Sequence, residues 1–174
     1  MNDFPKIIKT IASEDPRGSF HKILSATIVQ EYGILRETVE IFSTSSKKYT
    51  IRGMHFQQYP FETGKLVWVT NGSILDYVVD IRKMKTFGQV HRFTLTAKSH
   101  ESLWVPSGFA HGFQALEDNS IVNYATDGPY NADADTGIHW NSFGASWVTT
   151  PSNVSMRDSE FCTLREYKTK IGMT

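Results

Sequence analysis

From Glu37 to Tyr124 the chain is a series of short β-rich runs, apolar or alternating, broken by turn residues. Lys65–Thr70 (KLVWVT) and Ile74–Ile81 (ILDYVVDI) flank Asn71-Gly72, a dipeptide that readily takes positive φ and marks a hairpin. Phe93–Thr96, Ser102–Val105, Gly112–Leu116 and Ile121–Thr126 continue the series. Thr96-Ala97-Lys98-Ser99-His100, Pro106-Ser107-Gly108 and Glu117-Asp118-Asn119-Ser120 supply the breaks. Helical periodicity is weak and confined to Thr27–Glu37 and Ser159–Lys168. Many short strands at this spacing predict an all-β protein. The expected architecture is a double-sheet jelly-roll β-barrel of antiparallel sheets with few short helices and a ligand site in the barrel mouth. No repeat, low-complexity tract or linker interrupts the pattern, so residues 1–174 read as one domain.

Composition narrows this picture. Hydrophobic residues make up 40% and aromatic residues 13%, too many for a disordered chain. Lys plus Arg and Asp plus Glu each total 18, and the zero net charge argues against nucleic acid as a partner. An anionic ligand would have to be caught by a few placed cations. The single cysteine, Cys162, cannot close an internal disulfide and suits a reducing compartment. It lies in a polar stretch far from the histidine-bearing segments and is read as an inert thiol. The first residues, MNDFPKIIKTIASEDPRG, hold no apolar run of signal-peptide length, and no segment is long enough to span a membrane. A soluble, cytoplasmic protein with no membrane partner is expected.

Three polar clusters interrupt the strand-like sequence. In Arg52-Gly53-Met54-His55-Phe56-Gln57, strand alternation puts His55 and Gln57 on one face and Met54 and Phe56 on the other. If the apolar pair faces the packing layer, His55 and Gln57 face a cavity, with Lys65 beside them at the start of the next strand. A polar surface edge would give the same pattern. In Pro106-Ser107-Gly108-Phe109-Ala110-His111-Gly112-Phe113, the glycines around His111 point to a close approach of backbone and favour a site residue. In Tyr124-Ala125-Thr126-Asp127-Gly128-Pro129-Tyr130-Asn131, Tyr130 is either a proton donor or an amphipathic plug. His21, His91, His100 and His139 have no such context and are read as surface or packing residues. A metal-holding barrel of this type needs His-x-His followed by a glutamate and a distant histidine. Here the second histidine is Gln57, and the ammonium of Lys65 would repel a divalent ion. The cluster therefore suits an anionic intermediate and no metal. No G-x-S-x-G, phosphate-binding glycine loop, G-x-G-x-x-G or C-x-x-C is present.

Several stretches, in this order, resemble the dTDP-4-dehydrorhamnose 3,5-epimerase family. They are DPRGSF (Asp15–Phe20), IRGMHFQ (Ile51–Gln57) and GKLVWVTNGSILDYVVDIR (Gly64–Arg82), then TFGQV (Thr86–Val90), LWVPSGFAHGFQAL (Leu103–Leu116), YATDGPYNADADTGIHWN (Tyr124–Asn141) and SMRD (Ser155–Asp158). The resemblance implies a cupin-type jelly roll forming a homodimer, with no metal or coenzyme. It further implies epimerisation at C3, C5 or both of a nucleotide-diphosphate-linked 4-keto-6-deoxy sugar, in deoxysugar biosynthesis for surface polysaccharide. On it, His55 matches the general base, Asp158 the carboxylate orienting that base, Tyr130 the general acid and Lys65 the cation at the enolate. Arg52, His111 and Gln57 fall on the substrate-binding side, and Arg17 matches a nucleotide-side arginine. The chemistry agrees, because inverting a centre next to a ketone needs a base on one face, an acid on the other and a positive group at the enolate oxygen. This chain departs from the family at Lys22, at Glu40-Ile41-Phe42 and at Asn131-Ala132-Asp133. These departures make a CDP- or GDP-linked sugar an alternative to a dTDP-linked one. A sugar-nucleotide ketoisomerase, a non-catalytic carbohydrate-binding barrel and a metal-dependent enzyme are the rival readings. The first two do not need Tyr130 opposite His55.

Overall fold

The computed structural model describes residues 4–35 and 37–173. In chain order the elements are β1 (Lys6–Lys9), β2 (Ile11–Asp15), β3 (Gly18–Lys22), α1 (Ala26–Tyr32), β4 (Glu40–Ser46), β5 (Ile51–Gln57), β6 (Lys65–Asn71) and β7 (Ser73–Asp80). They continue with β8 (Val90–Thr96), β9 (Glu101–Val105), β10 (Phe109–Ala115), β11 (Ser120–Thr126), β12 (Asp135–Gly137), α2 (Met156–Glu160) and α3 (Leu164–Lys170). Two five-stranded sheets, ordered β1-β9-β6-β11-β4 and β12-β5-β10-β7-β8, face each other, and β2–β3 is a separate two-stranded ribbon. Strand pairing within each sheet is antiparallel. The protein is an all-β jelly roll of two facing sheets that do not pair into one closed barrel.

Three apolar layers explain why the central strands read as nearly continuous hydrophobic runs. Ile74, Val78, Phe109 and Phe113 of the second sheet meet Val67, Val69, Leu103 and Val122 of the first. The opposite face of β7, carrying Leu75, Tyr77 and Val79, packs under Ile138, Phe143, Trp147 and Tyr167 from the C-terminal third. The outer face of the first sheet, with Leu66, Trp68 and Trp104, is covered by Ile28, Ile34 and Leu35 of α1 and the turn after it. Every residue of β7 and of β10 is buried, so both strands are covered on two faces.

The Asn71-Gly72 turn differs from the hairpin expected of it. Gly72 does take positive φ (74°), but β6 belongs to the first sheet and β7 to the second. The turn carries the chain across the edge of the sandwich, where a Cβ on Gly72 would stand 2.5 Å from Ser120 Oγ. Two adjacent strands on opposite sides of one core look, in sequence, like two strands of one ribbon. The helix expected over Thr27–Glu37 is shorter. Ser25 caps α1 and Gly33, in the left-handed conformation (φ 64°), ends it; position 36 lies outside the described residues. The helix expected over Ser159–Lys168 is two helices, because Thr163 and Glu166 form a capping box that starts α3 afresh. Among the described residues no helix is long and apolar enough to cross a membrane.

Candidate active site

A cavity of about 270 Å³ opens between the sheets and gathers side chains from both. Its wall at β5 follows from strand alternation. Met54 and Phe56 turn into the outer apolar layer, and His55 and Gln57 turn into the cavity. The position of β5 depends on two glycines. A Cβ on Gly112 would lie 2.7 Å from Arg52 O and 3.0 Å from Gly53 Cα, and one on Gly53 would lie 2.5 Å from Gly112 Cα. Gly112, beside His111, thus serves a close approach of β5 to β10, whereas Gly108 lies against the Arg82 side chain. That approach sets His55 directly across from His111 in the strand register.

His55 Nε2 lies 2.8 Å from Asp158 Oδ1. Asp158 is buried at the start of α2, where its Oδ2 accepts from Gly53 N at 3.0 Å and its own amide is capped by Ser155 Oγ. Burial pushes the Asp158 carboxyl up, but the hydrogen bond and charge of His55 and the Gly53 amide outweigh it and hold the group below the usual carboxylate range. With Nε2 committed to a carboxylate, a neutral His55 carries its lone pair on Nδ1.

Lys65 begins β6 and lines the same cavity, half-buried. Burial lowers its pKa to about 8, against the opposing pull of the Asp135 and Asp76 carboxylates. Beneath it is a second pair, His111 Nε2 to Asp76 Oδ2 at 2.8 Å, with both residues buried. Burial raises the Asp76 pKa against the charges of His111 and Lys65, and its Oδ1 has no hydrogen-bond partner among the described residues. Arg52 is tied to β4 through Ser46 Oγ (2.9 Å) and Ser45 O (3.0 Å) while also lining the cavity.

Tyr130 is at the mouth, 62% exposed, and its hydroxyl donates to Asp135 Oδ2 at 3.2 Å. The same carboxylate oxygen accepts from Arg157 Nη2 at 2.7 Å. The charge of Asp135 is the main cause that raises the Tyr130 pKa, and Arg157 opposes it. The loop carrying Tyr130 is held by its backbone. Glu40 Oε1 accepts from Tyr130 N at 3.0 Å, and Gln57 Oε1 accepts from Asn131 N at 2.5 Å. Gln57 Nε2 donates to Phe61 O and Pro129 O, so the amide of this expected substrate-binding residue is engaged with two loops. Phe42 stacks on Tyr124 with ring centroids 4.8 Å apart.

The structure therefore brings His55, Asp158, Lys65, Tyr130, Arg52, Gln57 and His111 to one cavity or its immediate support. Arg17 stands apart. Its guanidinium, 89% exposed, pairs with Asp15 at 2.5 Å on the β2–β3 ribbon, away from the cavity lining. Sequence reasoning missed Asp76, Asp135 and Arg157. The signal for Asp76 was available, as an acidic residue on the inward face of an otherwise apolar strand. Asp135 and Arg157 carry no comparable mark. Among the described residues no three His, Cys, Asp or Glu side chains converge as a metal site would require.

Fold and cavity define a class: a jelly-roll protein built to move protons around a stabilised anion. The comparisons name the group within it. The dTDP-4-dehydrorhamnose 3,5-epimerase family model matches residues 5–166. The chain is 34% identical over 162 residues to the dTDP-4-dehydrorhamnose 3,5-epimerase of Sinorhizobium fredii, covering 88% of this chain and 82% of that one. It is 34% identical to that of Escherichia coli over 157 residues, covering 87% and 85%. Among solved structures, the enzyme from Bacillus anthracis with TDP and pyrophosphate bound superposes with a TM-score of 0.88 at 35% identity, covering 91% of this chain and 93% of that one. The Legionella pneumophila enzyme in complex with dTDP-4-keto-L-rhamnose superposes with a TM-score of 0.87 at 31% identity, covering 92% and 88%. The chain belongs to the dTDP-4-dehydrorhamnose 3,5-epimerase family.

Proposed function

We propose that this protein epimerises C3, C5 or both of a nucleotide-diphosphate-linked 4-keto-6-deoxy sugar in deoxysugar biosynthesis. The observation that carries the reading is the sharing of one cavity by the His55–Asp158 pair, Lys65 and Tyr130. His55 Nδ1 takes the proton from the carbon next to the ketone, and the C–H electron pair moves into the enolate. The Lys65 ammonium balances the charge that develops on the enolate oxygen, a contribution worth several kcal/mol in a water-poor site. Tyr130 then gives its hydroxyl proton to the opposite face of the same carbon and the enolate collapses to the ketone; the tyrosinate takes a proton from solvent and the His55 imidazolium gives one up to it, restoring the enzyme. The positive charge of Arg52 suits the diphosphate end. The dTDP names and ligands of the relatives make a dTDP-linked sugar the first substrate to offer. Glu40 and Phe42 in the cavity wall are the reason to offer CDP- and GDP-linked sugars beside it.

The working form is a homodimer. The β2–β3 ribbon has no buried residue and exposes Ile11 and Phe20, an apolar surface that a second copy would cover. Arg17 then serves the cavity of the partner copy. The unpaired thiol of Cys162 fits work in the reducing cytoplasm.

Proton NMR in deuterium oxide with the three nucleotide-linked ketosugars in separate tubes tests the reading. Deuterium should enter at C3 or C5 of one of them. Absence of exchange with all three would remove the epimerase assignment for these substrates.

A further inference from the structure

The groups around the Tyr130 hydroxyl are supplied by the same elements that hold His55. Asp135 opens β12, whose register on β5 sets Asp135 across from Gln57 and Gly137 across from His55. The carboxylate that meets Tyr130 is therefore fixed along one strand pair relative to the histidine. Its partner Arg157 is the neighbour in sequence of Asp158, and α2 sends the two side chains in different directions. Asp158 reaches His55 Nε2 and Gly53 N, while Arg157 lies over the Phe161 ring (5.2 Å) and reaches Asp135 Oδ2. Two consecutive residues of one short helix thus serve both the His55 pair and the Tyr130 contact.

We propose that the Asp135–Arg157 pair positions the Tyr130 hydroxyl and so determines how efficiently, and at which ring carbon, the proton returns. The proposal rests on the reading of Tyr130 as the acid. Tyr130 is too exposed for packing to fix its ring, and Glu40 and Gln57 hold only the backbone of its loop. The direction of the hydroxyl is left to its polar contact. Asp135 alone would be a poor neighbour, since the tyrosinate formed after proton transfer would face a carboxylate. The guanidinium on the same oxygen offsets that repulsion. It also keeps the carboxylate from turning to Lys65, whose ammonium it already attracts. Asp135 and Arg157 are positioning residues here: neither needs to touch the reacting carbon.

The test uses Asp135→Asn and Arg157→Gln in the full chain, with Tyr130→Phe as reference. Deuterium wash-in at the base-side position reports proton abstraction, and formation of the inverted sugar reports proton return. Both variants should keep wash-in within about threefold of wild type while inversion falls about 10- to 100-fold, the cost of a misplaced catalytic group. The C3-to-C5 ratio of incorporated deuterium should shift in both, with KM little changed. The double variant should be no worse than the poorer single, because one contact is lost either way. Wild-type inversion and isotope ratio in both singles would overturn the proposal. So would wash-in and inversion falling together, which would place the pair at His55 or in the fold.

A second measurement needs no substrate. Ultraviolet difference titration of each protein against its own Tyr130→Phe counterpart isolates the Tyr130 phenol. The charged groups near it are Asp135 from β12, Arg157 from α2 and Glu40 from β4, with His55 and Lys65 lining the same cavity. Asp135→Asn should lower its pKa and Arg157→Gln should raise it, and no movement in either variant would overturn the contact. If wild type exchanges deuterium with none of the ketosugars, the functional reading fails while this titration still decides the positioning claim.

Discussion

His55 shows how much a single position draws from its surroundings. Asp158 fixes one ring nitrogen, Gly53 N fixes Asp158, and the edge of Phe161 meets the ring at 5.9 Å. His55→Asn removes the base and leaves a smaller polar side chain, so deuterium exchange should vanish while the protein stays folded, at a urea midpoint lowered by the loss of the contact to buried Asp158. Full exchange in that variant would transfer the base to another residue. Tyr130→Phe should separate the half-reactions, preserving wash-in at the abstracted position and slowing inversion about 10²-fold or more. Lys65 makes a pH prediction. Its required form is the ammonium, and burial has brought its pKa down to about 8. The form is complete below that value and lost above it, so kcat/KM should fall as pH rises through about 8. Lys65→Arg, whose guanidinium stays charged, should be slower but should lose that alkaline limb. A wild-type profile flat to pH 9 would remove the ammonium from the chemistry.

Among the elements, the β5–β10 contact controls the site geometry, and glycine makes it possible. In Gly112→Ala the new methyl group would meet Arg52 O and Met54 Sδ at 2.7 Å, with backbone on one side and a buried side chain on the other. Overpacking of this kind costs about 1–3 kcal/mol. The variant should unfold at lower urea and also lose activity, because β5 carries Arg52 and His55 away from His111. A stable, fully active Gly112→Ala would show that the strands can part without consequence. The same contact separates what the sequence pattern revealed from what it did not. The glycines around His111 announced a close approach of backbone, and the alternation in Met54-His55-Phe56-Gln57 announced which side chains enter the cavity. Both are local consequences of strand geometry. The partner of β7 was not local. Asn71-Gly72 describes a turn and does not say whether the chain returns to its own sheet or crosses to the facing one. Asp135 lies in a three-residue strand with no apolar pattern, and Arg157 precedes a carboxylate identified only through family resemblance. Their pairing joins residues 22 positions apart through the packing of α2 on β5, and no periodicity records that.

At the scale of the whole molecule, the β2–β3 ribbon is the part that a single chain does not use. It forms its own two-stranded sheet, its side chains cover no core, and Ile11 and Phe20 are 51% and 56% exposed. Its turn holds Arg17 outside the cavity of the chain that carries it. An isolated ribbon gains little stability in water, so a second copy that buries it would supply both stability and a reason for its sequence. Sedimentation should give the mass of two chains, and Phe20→Asp should shift the protein toward one. The decisive experiment mixes two crippled proteins. Arg17→Ala alone should bind the nucleotide sugar weakly, and His55→Asn alone should be inactive. If Arg17 acts within its own chain, every site in a mixed dimer is defective and mixing restores nothing. If it acts on the partner, each mixed dimer has one site with both residues intact and one with neither. Random reassortment makes about half the dimers mixed, so about a quarter of wild-type activity should return. Recovery near that level would tie the ribbon, the dimer and the nucleotide end of the cavity together. No recovery in a demonstrated mixed dimer would detach Arg17 from the partner's site and leave the ribbon a purely structural interface.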